Sequence, residues 1–529
     1  MKATYFSLAF MGILLPITLL LYNFCKREHR WKILLGASFL FFFLISGKLI
    51  IYLVLSCLSI HYFGLWMGIL LKEKKVKLKE CQDKEEKRAV KDSYTRRLRW
   101  ILALAIALHL GVLLVLKYSS FFGSNFNALL NMLHLPFTIP VPKFILPIGI
   151  SFYTLQAMGY LFDVYRGTVE PERSLFKLSL FLSFFPQIIE GPICRYNETA
   201  DQLMAGNKIT EANFYYGSTR ILYGMMKKML VADRLNGFIL EVFNNYGNYD
   251  GGVIALGMIA YTVQLYMEFS GTMDVVIGIS EIMGIKMPEN FRHPFFSHTI
   301  SEFWTRWHIS LGTWFKDYVF YPLSMSKPLK RVTQFGRKHL GNHYGPLLAG
   351  SVALLAVWLC NGLWHGSDWQ YIFFGLYHFT IILLGSIVDP FSKKICERLH
   401  INRHSIAYQA MQIARTIILV LFGELFFRAT SLTAGFQMVG KIFTELNFTT
   451  IGNWRLSMDG YDGAIVAIMV ITVLIVSILE ERGKSVRGYI KERPIYVRWA
   501  ILYLIIFSII IFGAYGPGYL PVDPIYGQF

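Results

Sequence analysis

Charge is what this chain has least of. Only 16% of its 529 residues are Asp, Glu, Lys or Arg, against roughly 25% in soluble globular domains. Meanwhile 54% are hydrophobic and 16% aromatic, the composition of an integral membrane protein. Alternating strand patterns are also missing. The apolar runs are about 20 residues long, enough for an α-helix to cross a bilayer, whereas barrel strands need about 10 with strict alternation. In lipid every backbone polar group must be satisfied internally, so helices are the remaining solution. The expected fold class is all-α: a polytopic bundle of about eleven to thirteen membrane helices, with interfacial or re-entrant helices, around a central funnel or tunnel.

Other absences narrow the chemistry. The six cysteines (Cys25, Cys57, Cys81, Cys194, Cys360 and Cys396) show no CxxC pair and no metal-ligand spacing, so neither a disulfide framework nor a metal site is expected. There is no P-loop, no dinucleotide-binding glycine pattern, no HExxH and no nucleophile elbow. Acidic residues are outnumbered, 34 to 52, for a net charge of +18. In a soluble protein that excess would point to nucleic acid. Here the basic residues cluster between apolar runs, the pattern of cytoplasmic loops, and no nucleic-acid partner is expected.

Taken in order, spans are expected at 4–24, twice within 33–71 with a break near Ser46-Gly47-Lys48, and at 100–117 and 144–163. Five more are expected near 346–363, 368–388, 406–428, 463–480 and 499–515. The first lacks a basic n-region beyond Lys2 and a cleavage site, and reads as a retained helix. The stretch 72–99 is the most charged and reads as a cytoplasmic loop, whereas 118–142 holds no Lys or Arg and reads as external. Basic segments at 327–338 and 482–498 return the chain to the cytoplasmic side. Residues 1–515 are expected to form a single membrane domain, with its N-terminus outside and 516–529 as an external tail. The middle third is less apolar and carries Glu190, Arg195, Lys227, Lys228, Asp233, Glu268 and Asp274. Such charges are costly in a bilayer unless they face a cavity or a partner, so this part reads as the lining of an interior chamber.

Residues 291–323, FRHPFFSHTISEFWTRWHISLGTWFKDYVFYPL, are too polar to span a bilayer and too aromatic for an ordinary loop. As a helix from about Ser301 they place Trp304, His308, Leu311, Phe315 and Tyr318 on one face, in the interface or plugging a cavity. His308 puts an ionisable imidazole on that face, and His365 in NGLWHG supplies a second. A lone histidine near a helix end is more often structural than catalytic. Within a membrane, however, an ionisable residue is a functional candidate by default, and imidazole exchanges protons near neutral pH. Asn361 and Trp358, one and two turns before His365, are placed to orient its ring. Asp274 and Glu268 fit either pocket polarity or salt bridges. A transporter relaying protons through the histidines is the rival class, but no inverted halves are visible; a non-catalytic scaffold leaves the histidines unexplained.

The stretch FWTRWHISLGTWFKDYVFYPL (303–323) resembles the signature of the membrane-bound O-acyltransferase family, and NGLWHG (361–366) is similar to the segment holding its catalytic histidine. LPIGISFYTLQAMGYLFDVYRG (146–167), FFPQIIEGPICR (184–195) and MEFSGTMDVVIGIS (267–280) resemble further blocks of its bacterial branch. That branch serves alginate O-acetylation and D-alanyl transfer to teichoic acid. The resemblance covers roughly residues 100–380 and departs at Thr272-Met273, where a Tyr-Ser pair is usual. It implies His365 as the essential histidine and His308 as the second, holding or polarising the donor carbonyl. Asn361, Trp304, Trp307, Trp364, Asp274 and Glu268 are the candidate substrate-binding residues around them. The tail PIYGQF (524–529) is similar to a C-terminal aromatic motif whose tyrosine, here Tyr526, is implicated as an acyl carrier; Gly527 departs from it.

The activity implied is transfer of an acyl group, acetyl by preference, from a cytosolic thioester to an extracellular polysaccharide. The donor is acetyl-CoA or another acyl thioester, on CoA or on a phosphopantetheinyl carrier protein. An extracytoplasmic SGNH-type, serine-hydrolase-like acyltransferase is the implied partner, and the bacterial cytoplasmic membrane the location. D-alanyl transfer to teichoic acid is the alternative cargo.

Overall fold

The computed structural model describes residues 5–453, 458–515 and 519–522. The chain begins with α1 (Leu15–Phe24), α2 (Arg30–Ser46), α3 (Ile50–Glu80), α4 (Lys84–Met132), α5 (Ile150–Arg166), α6 (Leu175–Ser183) and α7 (Tyr196–Met204). It continues with α8 (Glu211–Lys227), α9 (Asp233–Asn244), α10 (Gly251–Ile282), α11 (Ile300–Arg306), α12 (Ile309–Phe315) and α13 (Tyr321–Ser324). It ends with α14 (Lys327–His365), α15 (Trp369–Arg398), α16 (Ile406–Arg428), α17 (Leu432–Thr444), α18 (Gly460–Glu481), α19 (Val486–Lys491) and α20 (Ile495–Phe512).

Among the described residues, eight helical stretches are long and apolar enough to cross a membrane: Arg27–Glu80, α4, α10, α14, α15, α16, α18 and α20. The protein is an all-α, multi-pass membrane protein. Other segments expected as spans are shorter helices, among them α1 with 10 residues and α5 with 17. The stretch 72–99 is not a loop. α3 continues to Glu80 and α4 begins at Lys84, because Lys, Glu, Arg and Ala are strong helix formers whatever their solvent. The charges also suit the helix ends, with Lys77 and Lys79 closing α3 and Glu85 and Glu86 opening α4. α4 likewise runs on through the first half of the stretch expected outside.

The described chain forms two compact units. In the unit of residues 5–218 and 276–288, Tyr5 is buried among Phe10, Phe41 and Phe185, and its hydroxyl donates to the Phe185 carbonyl at 3.1 Å. Gly149 (φ 77°) must be glycine there, since a Cβ would lie 1.9 Å from the Ile188 carbonyl oxygen.

The unit of residues 219–275 and 289 onward holds every described candidate residue. Here α8 and α10 cross at a glycine contact: a Cβ on Gly224 would lie 2.4 Å from the Gly271 carbonyl oxygen. Close approach through small residues is how helices associate where lipid removes the hydrophobic drive. It sets Asp274 of α10 against two cations of α8, Lys227 at 2.5 Å and Arg220 at 2.9 Å. α14 breaks at Gly341 (φ 78°) and its two parts fold back at Gly336 and Gly345. Its second part meets α15 at Gly362 and Gly375, where a Cβ would fall 2.4 and 2.3 Å from facing carbonyl oxygens.

After α20 the chain is tied to the segment around α9. The Leu520 carbonyl accepts from Asn236 at 2.8 Å, the Val522 amide donates to Asp233 at 2.8 Å, and the Val522 carbonyl accepts from Lys228 at 3.0 Å. Arg234 lies over the Tyr519 ring at 5.5 Å.

Asp274→Ala leaves two buried cations sharing no carboxylate, an error that costs about 3–5 kcal/mol. A thermal-unfolding scan in detergent is expected to show a clear fall in Tm, smaller for Asp274→Asn. An unchanged Tm in both would remove this pairing from the fold's support.

Candidate active site

The expected single helix over 301–323 is interrupted at His308. α11 stops at Arg306, and His308 adopts a left-handed conformation (φ 46°, ψ 51°) before α12 begins. That conformation is uncommon for a residue with a side chain, so something must hold it. The holder is Asn290, wholly buried. Its carbonyl accepts from the Ile309 amide at 3.0 Å, and its side-chain Oδ1 accepts from the Ser310 amide at 3.0 Å and the Ser310 hydroxyl at 2.9 Å. The His308 carbonyl then caps α12, accepting from Leu311 and Gly312 at 3.1 Å.

The same oxygen fixes the proton on His308. A backbone N–H only donates, so the Asn290 atom facing Ser310 is its oxygen. His308 Nδ1 lies 3.2 Å from that oxygen and must carry the hydrogen, which leaves Nε2 as the basic nitrogen. His308 is 4% exposed and lies outside the eight spans, and burial lowers its pKa to about 3. The imidazole is therefore neutral and presents a lone pair at Nε2. Polarising a donor carbonyl, one of the two roles expected of His308, needs an N–H at Nε2, which this tautomer does not supply.

His365 is the last residue of α14 and is buried. A Cβ on the next residue, Gly366, would lie 2.1 Å from the Tyr371 ring, so glycine there lets that ring close over the turn. His365 packs edge-to-face on Phe427 at 5.1 Å, with Phe374 at 6.0 Å. Trp364 lies against both histidines, 5.7 Å from the His308 ring and 5.0 Å from His365. The two imidazoles, 57 residues apart in sequence, thus share one aromatic wall, completed by Phe269 at 4.8 Å from His308.

The other candidates divide. Asn361 is buried one turn before His365, and its Oδ1 has no hydrogen-bond partner among the described residues. Trp304 is not beside His308. Its indole N–H donates to His378 Nδ1 at 3.2 Å, and Trp358 stacks on the same imidazole at 5.2 Å, so neither tryptophan faces the site histidines as expected. The helix break at His308 rotates α11 away from α12, which separates residues an unbroken helix would align. Trp307 is a core residue, stacked on Phe303 at 5.5 Å and edge-on to Phe291 at 5.0 Å.

Glu268 belongs to the tail anchor, 3.7 Å from Lys228, which also binds Asp233 at 2.8 Å. Asp274 is ion-paired, the second of the two roles left open for it. It still acts on the site at one remove, because its partner Arg220 also grips Glu289 at 2.5 Å, the residue before Asn290. Tyr526 lies outside the described residues.

Sequence reasoning missed His378, Asn290 and Arg220. His378 was findable as an ionisable residue inside an apolar span. Asn290 and Arg220 carry no local pattern.

Burial of neutral His308 has a pH signature. Below about 6.5 the unfolded imidazole takes up a proton, while the folded one refuses it until about 3. Stability is therefore undiminished above that window and falls as pH drops through it. Replacing His308 by Asn, which tolerates the left-handed conformation, is expected to flatten the decline of Tm between pH 7 and 4. Parallel curves for wild type and variant would contradict the assignment.

Comparison with known proteins gives the family. The profile of the membrane-bound O-acyltransferase family matches residues 171–335. A probable alginate O-acetylase of Pseudomonas syringae pv. tomato is 32% identical over 85% of this chain and 76% of its own length. One from Pseudomonas putida is 31% identical over 93% and 90%. A teichoic acid D-alanyltransferase of Bacillus subtilis is 32% identical over 47% and 60%. With two histidines on one aromatic wall and relatives aligned over most of its length, this chain belongs to the membrane-bound O-acyltransferase family and is an O-acyltransferase.

Proposed function

We propose that this O-acyltransferase takes an acetyl group from acetyl-CoA on the cytosolic side and delivers it for esterification of an extracellular polysaccharide, in a bacterial cytoplasmic membrane. The observation that carries the reading is the shared wall of His308, Trp364 and His365. It is supported by the alginate O-acetylase relatives, which cover 85–93% of the chain where the D-alanyltransferase covers 47%.

His365 acts as general base. A ring nitrogen of His365 takes the proton of the attacking hydroxyl as that oxygen bonds to the thioester carbonyl carbon. The tetrahedral centre then collapses, the C–S bond breaks, and the imidazolium returns its proton to the departing thiolate. Such proton transfer contributes about 10² to 10⁴ in rate. His308, held by Asn290, offers a second basic nitrogen on the same wall. The apolar rings around both exclude water, which would otherwise hydrolyse the donor.

Tyr526 is the first acceptor in this scheme. A phenol, with pKa about 10, is a better leaving group than a sugar alcohol, so a phenyl ester keeps transfer potential for a second step outside. An extracytoplasmic serine-hydrolase-like acyltransferase of SGNH type completes that step. The anchored Val522 lies four residues before Tyr526 in sequence.

The test is acyl transfer from labelled acetyl-CoA in native membranes. His365→Ala is expected to lower product at least about 100-fold at normal protein level, and an unchanged yield would overturn the reading. In cells lacking the second enzyme, peptide mass spectrometry is expected to find an acetyl adduct on Tyr526, absent in Tyr526→Phe. Label accepted only from a D-alanyl carrier protein would assign the other cargo.

A further inference from the structure

The second unit contains a cavity of about 440 Å³ that no step above uses. Its walls are stripes of α10, α16 and α18, each a membrane span, and its floor is the turn that carries His293 and Phe295. α16 contributes Ala410 and Ala414, and α18 contributes Leu474 and Ser477. The polar residues in the lining are few, Tyr266, Ser477 and His293, and His293 lies 3.7 Å from Glu480. Water finds few partners inside a lining this apolar, which favours an apolar occupant.

Its mouth and its size identify the occupant. Ala414 is exposed and Leu474 is 48% exposed, beside Ile418, Ile471 and Ile475, each more than half exposed. In a chain whose walls are spans, such a surface faces hydrocarbon. A transmembrane helix, about 10 Å across and 30 Å long, is several times too large for the cavity. One flexible alkyl chain fits. The polar end lies one turn before Glu480, where α18 gives way to exposed Arg482 and Lys484, so an ester and headgroup would reach the aqueous boundary there.

We propose that this cavity is a binding site for one acyl chain of a membrane phospholipid. The site touches the active-site framework without containing it. Phe295 in the floor packs on Tyr266 at 5.2 Å, on Phe303 at 5.9 Å and on Trp307 at 6.3 Å. It belongs to the turn that joins Asn290 to α11. A bound chain supports that turn through Phe295.

The protein is reconstituted in nanodiscs of phosphatidylcholine and phosphatidylglycerol doped with a phosphatidylcholine that carries a diazirine in one acyl chain. After irradiation, labelled peptides are mapped by mass spectrometry. Label is expected on the 410–417 and 470–477 segments. It is expected to fall at least tenfold in Ala414→Trp and Ala410→Trp, which plug the mouth from exposed positions, and to stay unchanged in Ile418→Trp. Labelling of α20, whose Leu504 is 67% exposed, reports that each variant is folded and inserted. Equal labelling of the two segments in wild type and both plug variants overturns the proposal, as does their labelling in wild type no more strongly than α20. Cross-linking of this mouth to a second protein chain also overturns it.

Discussion

One side-chain amide does more to shape this protein's chemistry than any catalytic group. Asn290 holds three hydrogen-bond donors on a single oxygen: the amide and hydroxyl of Ser310 and the ring nitrogen of His308. In a low-dielectric interior such bonds are strong and their absence is expensive. The left-handed turn at His308, the start of α12 and the tautomer of the imidazole all follow from it. Asn290 is itself placed by the ion pairs that run from Lys227 and Asp274 through Arg220 to Glu289. Buried ion pairs are weak evidence for stability, and here their sharper consequence is position. They fix where the loop that carries Asn290 begins.

The fold class was legible because the bilayer leaves few options. Twenty-residue apolar runs with little charge admit helices and nothing else, and His365 at the close of such a run is conspicuous. The charged stretch 72–99 misled for a related reason. Its charge reports which solvent it meets, while its Lys, Glu and Ala report helix, and the two signals are independent. His308 was legible as a residue and not as a geometry. Its turn depends on an amide 18 residues upstream, and periodicity assumes that a helix continues until a local signal stops it. Trp304 followed from the same assumption and turned instead to His378. For Asp274 the residue type allowed a pocket role or a salt bridge, and only the crossing at Gly224 and Gly271 decides between them.

The arrangement also separates two demands that are hard to meet together in lipid. A basic nitrogen must stay unprotonated and accessible, yet its surroundings must exclude water. Aromatic rings serve both, since they pack densely around an imidazole and keep water out. Trp364 is the shared element, against both histidines at once. The glycines at 362, 366 and 375 let the backbones and the Tyr371 ring close around this wall, where any side chain would collide.

In the proposed reaction Asn290 acts on acyl transfer through the His308 ring that it orients. A double-mutant cycle in acyl-transfer rate, with Asn290→Ala, His308→Ala and the pair, addresses it directly. The pair is expected to be no slower than His308→Ala alone, because the amide has nothing left to orient. Rate losses that multiply, each residue contributing in full without the other, would contradict the account.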